Sequence, residues 1–150
     1  MFWFWTSVIL IPLIDQIFKF KVRTELVKGA EINTFIPFFK IVNVSNFGMA
    51  FGIMKGKNWL LVIATTIIIL FLCYLVFTLK DKNFLITLAL AFLIGGGIGN
   101  LIDRLILGYV IDYLKITFFP PICNLSDYFV CIGMVILLFE LNFKLNLKKS

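Results

Sequence analysis

The chain has 150 residues, 61% hydrophobic and 15% charged, with a net charge of +6. Soluble domains run at about 45–50% apolar and about 25% charged, so this chain cannot clothe itself for water and a soluble enzyme is excluded. It has no histidine, which removes Ser-His-Asp and Cys-His nucleophile systems, an imidazole base and a zinc-hydrolase site.

The first element runs from Met1 to about Phe20. It has no basic leader and no small-x-small cleavage site, so it reads as a retained membrane span. The segment Lys21–Lys57 follows. Its Phe38-Phe39-Lys40-Ile41-Val42-Asn43-Val44 run is β-branched and aromatic, and Gly29, Pro37 and Gly48 punctuate it. That pattern predicts a small β-element resting on the membrane face.

Further spans are expected over Asn58–Thr78, Phe84–Leu107 and Tyr128–Phe143, the last starting upstream near Asn124. Stretches near 20 residues, at about 1.5 Å each, cross a hydrocarbon core of roughly 30 Å. The expected fold is an all-α membrane protein of four transmembrane helices with a β-element in its first loop, one domain over residues 1–150. A tight turn at Lys80-Asp81-Lys82-Asn83 joins the middle spans, and Gly108–Leu125, with Pro120-Pro121, joins the last two.

Four spans put both termini on one side. Basic residues fall on both sides, so charge alone leaves the orientation open. The basic excess matches membrane headgroups. No basic stripe interleaved with exposed aromatics marks a nucleic-acid surface, and none is expected as a partner. Cys73, Cys123 and Cys131 form no CxxC pair, so no disulfide framework is expected.

Of the eight acidic residues, Glu25, Glu31 and Asp81 read as solvated loop charges, and Glu140 as a side chain reaching the interface. Asp15, Asp103, Asp112 and Asp127 lie within or at the edges of spans, where charge is expensive and functional by default. Asp15 and Lys19 are four apart on one helix face, as a structural salt bridge or as part of a site. Gly96, Asn100 and Asp103 share a face of span three, with Arg104 one turn after Asn100. Small residues at this spacing explain close helix packing but not the polar trio.

Asp112 follows span three and Asp127 enters span four. Read alone, Asn124 and Asp127 form a helix cap, and Asp112 is a turn residue. Brought together by antiparallel spans, the two carboxylates would share a proton. One could then take a proton from water while the other polarises a carbonyl. No metal or cofactor is called for.

These residues resemble a family signature. Gly95-Gly96-x-x-Gly99-Asn100-x-x-Asp103-Arg104, Val110-x-Asp112-Tyr113 and Asn124-x-x-Asp127 are similar to the motifs of bacterial lipoprotein signal peptidase, also called signal peptidase II. Asp15-x-x-x-Lys19 and Asn46-x-Gly48-x-Ala50-Phe51-Gly52 match its earlier motifs. The resemblance runs from Asp15 to Asp127, in order.

It implies an aspartic endopeptidase of the bacterial plasma membrane, with Asp112 and Asp127 as the catalytic pair. The implied substrate is a diacylglyceryl-modified prolipoprotein, cut just before the modified cysteine. Asn46, Gly96, Asn100, Arg104 and Asn124 would position substrate or support the pair, with Asp15, Lys19 and Asp103 in supporting roles. The implied topology puts both termini in the cytoplasm and the pair near the outer face, making the β-element extracytoplasmic. The implied partners are substrate and membrane lipids, with a monomer and no obligatory protein partner. Two positions depart from the signature: Cys123 stands where the family has an aromatic residue, and Ser126 where it has alanine. A proton-coupled transporter using the four aspartates and a non-catalytic subunit packing through span three are the alternative readings.

Overall fold

The structure, a computed structural model, describes residues 2–48, 56–79 and 83–147, with side chains described through residue 144. The motif residues Ala50, Phe51 and Gly52, and Lys80, Asp81 and Lys82 of the expected turn, lie outside the described residues. The elements are α1 (Phe2–Glu25), β1 (Glu31–Asn33), β2 (Phe39–Asn46), α2 (Asn58–Thr78), α3 (Phe84–Ile106), β3 (Val110–Ile116), β4 (Phe119–Cys123) and α4 (Leu125–Leu147).

All four helices are long and apolar enough to cross a membrane. Their outward residues, such as Ile67, Leu70 and Phe71 of α2 or Val135, Leu138 and Phe139 of α4, are exposed, as lipid-facing surfaces require. α3 is the most buried span and sits centrally. Leu90, Ala91 and Ile94 of α3 pack with Phe4 and Val8 of α1 and with Leu72 and Val76 of α2.

Glycine makes α3 central. A Cβ on Gly95 would lie 3.2 Å from Ile11 of α1. One on Gly96 would lie 2.5 Å from the carbonyl oxygen of Ser126, and one on Gly99 2.0 Å from Ser126 Oγ. Both faces of the glycine run are therefore used for close helix approach, as small residues at this spacing allow.

The sheet differs from expectation in where its strands come from. Its order is β1-β2-β3-β4, all antiparallel, so half the strands belong to the loop between α3 and α4. Gly108, at a φ of 80°, turns the chain out of α3 into β3, a conformation that glycine adopts without a Cβ penalty. The Pro120-Pro121 pair sits in β4, an edge strand, the place where a missing N–H is tolerated.

α1 also continues to Glu25, about one turn beyond the expected end near Phe20. Asn43 of β2 donates to the carbonyls of Leu26 (2.8 Å) and Val22 (3.4 Å), satisfying acceptors that a helix end leaves free. Val22 packs with Ile111 and Tyr113 of β3, which seats the sheet on the end of α1.

Three acidic residues are corrected. Glu25 is the last residue of α1 rather than a loop charge. Glu31 is no loop charge: it lies on β1 and accepts from Lys40 of β2 at 3.0 Å and from Lys115 of β3, pinning three strands. These cations hold its carboxyl below the usual range, the Lys115 bond most strongly. Glu140 does not reach out to the interface. It is buried and accepts a 2.7 Å bond from Asn83, whose Oδ1 caps α3 by accepting from the Ile86 N–H.

Candidate active site

Asp112 is the third residue of β3, paired opposite Val44 in β2. Between Ile41 and Val44 the register slips by one residue, a bulge opposite Tyr113, and bulges re-aim neighbouring side chains. Asp127 lies in the first turn of α4. Asp112 and Asp127 line one cleft, so the two carboxylates expected to meet are brought together.

The amides around them form a closed set. Asn46 Nδ2 donates to Asp112 Oδ2 at 2.8 Å, and Asn124 Nδ2 to Asp112 Oδ1 at 2.9 Å. Asn100 Nδ2 donates to Asp127 Oδ1 at 2.7 Å, and the Asn124 backbone N–H to Asp127 Oδ2 at 3.2 Å. Each carboxylate oxygen thus has one neutral amide donor. Asn124 bridges the pair, its side chain serving one aspartate and its backbone the other. Burial, and next the charge of Asp127, push the Asp112 carboxyl up to about 7.

Arg104 lines the same cleft. Its guanidinium donates to the Gly48 carbonyl at 3.3 Å and the Asn100 carbonyl at 3.5 Å, and Asn58 Nδ2 donates to the Arg104 carbonyl at 3.0 Å. Phe119, Ile122, Cys123, Val130 and Cys131 make the rest of the lining largely apolar. Burial raises the Cys123 thiol to about 11, so it stays protonated at neutral pH. All three cysteines are free.

Behind the cleft is a buried ionic cluster. Lys19 Nζ lies 2.7 Å from Asp15 Oδ2 and 3.0 Å from Asp103 Oδ2, all three side chains at 2% exposure or less. Lys19 also donates to Asn100 Oδ1 at 3.0 Å, so the amide that holds Asp127 is itself held. Asp103 further accepts from the Ile111 N–H at 3.0 Å and from Gln16 at 2.8 Å. The i, i+4 pairing of Asp15 and Lys19 is realised, with a second carboxylate added.

The expected residues therefore divide. Asn46, Asn100, Arg104, Asp112 and Asp127 line the cleft. Asn124 bridges from beneath, Gly96 provides helix contact, and Asp15, Lys19 and Asp103 form the cluster behind. Sequence reasoning missed Gln16, whose signal was a polar residue in an apolar span, and named Tyr113 in a motif without giving it a role. Tyr113 Oη donates to Asp15 Oδ1 at 3.0 Å and accepts from the Leu125 N–H at 3.3 Å. It also missed what Ser126 does: its hydroxyl donates to Asp15 Oδ2 at 2.7 Å.

A family model described as "Signal peptidase (SPase) II" matches residues 7–143. A protein named lipoprotein signal peptidase from Caldanaerobacter subterraneus subsp. tengcongensis is 34% identical over 134 residues, covering 89% of this chain and 92% of its own length. One of the same name from Streptococcus pyogenes serotype M1 is 37% identical over 134 residues, covering 88% of each. Two solved structures, both described as bacterial membrane enzymes determined in meso, share the architecture. One has a TM-score of 0.92 at 28% identity, covering 100% of this chain and 93% of its own. The other has 0.86 at 27% identity, covering 94% and 93%.

Proposed function

The chain belongs to the signal peptidase II family, and we propose that it is an aspartic endopeptidase that removes the signal peptide from diacylglyceryl-modified prolipoproteins, cutting just before the modified cysteine. The observation that carries the reading is the Asn124 bridge, which holds Asp112 and Asp127 on one cleft with an amide at each oxygen.

The pair shares one proton. We assign it to Asp112, with Asp127 as the base. Substrate lies in the cleft with its scissile carbonyl against Asp112. A water gives a proton to Asp127 and its oxygen bonds to the carbonyl carbon, while the protonated Asp112 hydrogen-bonds the oxygen that gains charge. As the tetrahedral adduct collapses, the carbon–nitrogen bond breaks. The leaving cysteine nitrogen takes the proton from Asp127. No covalent intermediate forms.

Asn46, Asn100 and Asn124 orient the carboxylates, Arg104 positions the peptide at the cleft mouth, and Gly96 lets α4 approach. Asp15, Lys19 and Asp103 support from behind. Diacylglyceryl tails stay between helices in the bilayer, so lipid binding helps align the scissile bond. Both termini are cytoplasmic and the site is near the outer face of the plasma membrane. The enzyme works as a monomer, without cofactor or obligatory protein partner. A transporter relay through all four aspartates is disfavoured because Lys19 holds Asp15 and Asp103 together in a buried cluster behind the cleft.

The test is cleavage of a diacylglyceryl-modified prolipoprotein by purified protein in detergent, with an unlipidated control. Asp112→Asn and Asp127→Asn should each abolish cleavage while remaining folded. Cleavage surviving in either variant overturns the aspartic mechanism.

A further inference from the structure

Asp15 lies on α1, yet two of its donors reach it from the elements that carry the reacting pair. Tyr113, which bonds Asp15 Oδ1 at 3.0 Å, follows Asp112 in β3. Ser126, which bonds Asp15 Oδ2 at 2.7 Å, precedes Asp127 in α4. One carboxylate thus holds the chain neighbour of each aspartate. We propose that Tyr113 and Ser126 are positioning residues that fix the separation of Asp112 and Asp127 by docking together on Asp15. The inference rests on reading Asp112 and Asp127 as the reacting pair.

The geometry suits a spacer better than general packing. Asp15 and Ser126 are fully buried and Tyr113 is 2% exposed, so their bonds do not exchange with water. Consecutive Cα atoms are held about 3.8 Å apart by a planar peptide, so fixing residue 113 or 126 constrains its neighbour closely. Tyr113 is bonded twice, accepting the Leu125 N–H at 3.3 Å while donating to Asp15. β3 and the start of α4 are therefore linked directly as well as through α1.

Asn124 alone leaves a degree of freedom. It joins the aspartates at one point, and β3 and α4 could still hinge about it. The Asp15 contact supplies a second point on the far side. α3 makes room for it: a Cβ on Gly99 would lie 2.0 Å from Ser126 Oγ and 3.1 Å from Asp15 Oδ2. Lys19 Nζ lies 2.7 Å from the same carboxylate, which accepts one hydroxyl on each oxygen.

The test uses the full chain in detergent with diacylglyceryl-modified prolipoprotein, measuring kcat per folded molecule, KM and thermal midpoint. Tyr113→Phe and Ser126→Ala each remove a hydroxyl and little else. Each should lower kcat about tenfold and the pair together on the order of a hundredfold, the scale of a 1 Å misplacement. KM should move by less than about twofold, because the cleft walls are untouched. In an Asp15→Asn background the same substitutions should add less than about twofold to the loss, since the shared acceptor is already altered.

Unchanged kcat in the double variant overturns the proposal. So does an undiminished effect in the Asp15→Asn background, or a kcat loss that tracks the folded fraction. If Tyr113→Phe does not fold, Ser126→Ala carries the same comparison with one oxygen removed. Asp112→Asn and Asp127→Asn run alongside. If they still cleave, the reading of the pair fails; if they are dead while the hydroxyl variants keep full kcat, the spacer alone fails.

Discussion

Asn124 and Asp127 hold each other reciprocally. The Asn124 N–H donates to Asp127 Oδ2 at 3.2 Å, and the Asp127 N–H donates to Asn124 Oδ1 at 2.9 Å. This is a capping box at the start of α4, and the same Asn124 presents its amide to Asp112. Helix cap and candidate catalytic bridge are one residue.

The two roles of Asn124 separate by substitution. Asn124→Ser keeps a capping oxygen but loses the amide to Asp112. Its thermal midpoint should fall less than that of Asn124→Ala, while kcat falls at least about tenfold. Asn124→Ala should lose the cap too, at about 1 kcal/mol more stability. Thermal unfolding in detergent beside the cleavage assay checks both; full activity in Asn124→Ser would remove the bridge from the mechanism.

Gly99 and Ser126 form a suppressor pair. Gly99→Ala places a methyl 2.0 Å from Ser126 Oγ and should sharply lower the yield of folded protein. Adding Ser126→Ala removes that oxygen, leaving contacts of 3.1 Å to Asp15 Oδ2 and 3.2 Å to Ser126 Cβ. Folded yield should recover substantially, read by size-exclusion chromatography, without restoring kcat.

The raised Asp112 carboxyl fixes a pH dependence. With its folded value at about 7 against an ordinary 3.8, Asp112 is protonated below about 7 and ionised above. With the shared proton assigned to Asp112, as proposed above, kcat should fall as pH rises through about 7. Stability follows the same sign: between about 4 and 7 the folded state binds more protons than the unfolded, so this group costs stability as pH rises. Asp112→Asn escapes that cost. Its midpoint should exceed wild type by a margin that widens up to about pH 7 and then levels off.

Lys19 is a buried cation facing two carboxylates. Lys19→Met leaves both uncompensated and should cost roughly 3–5 kcal/mol. Lys19→Met with Asp103→Asn keeps the net charge of the cluster and should recover part of that loss. Equal instability in single and double variants would show that charge balance is not what the cluster provides.

The four helices were legible because apolar runs of about 20 residues are a local property of sequence. Asp112 and Asp127 were legible as candidates because charge beside a span is unusual. The second half of the sheet was not. Pro120-Pro121 disguised β4, since prolines deplete strands except at edges, and only the assembled order makes β4 an edge. Tyr113 and Ser126 carried no local sign, because their partner Asp15 is 98 and 111 residues away. Glu31 looked like a loop charge because its lysines arrive from two other strands.

The sheet joins the loop after α1 to the loop after α3 through the β2–β3 pairing. This has a consequence for biogenesis. Asn46 emerges from synthesis 66 residues before Asp112, and the second carboxylate, Asp127, lies in the first turn of the final helix. A chain with three helices inserted holds only part of the cleft. Completion of the candidate hydrolytic centre is therefore coupled to insertion of α4, and a product stalled before it lacks one carboxylate of the proposed pair.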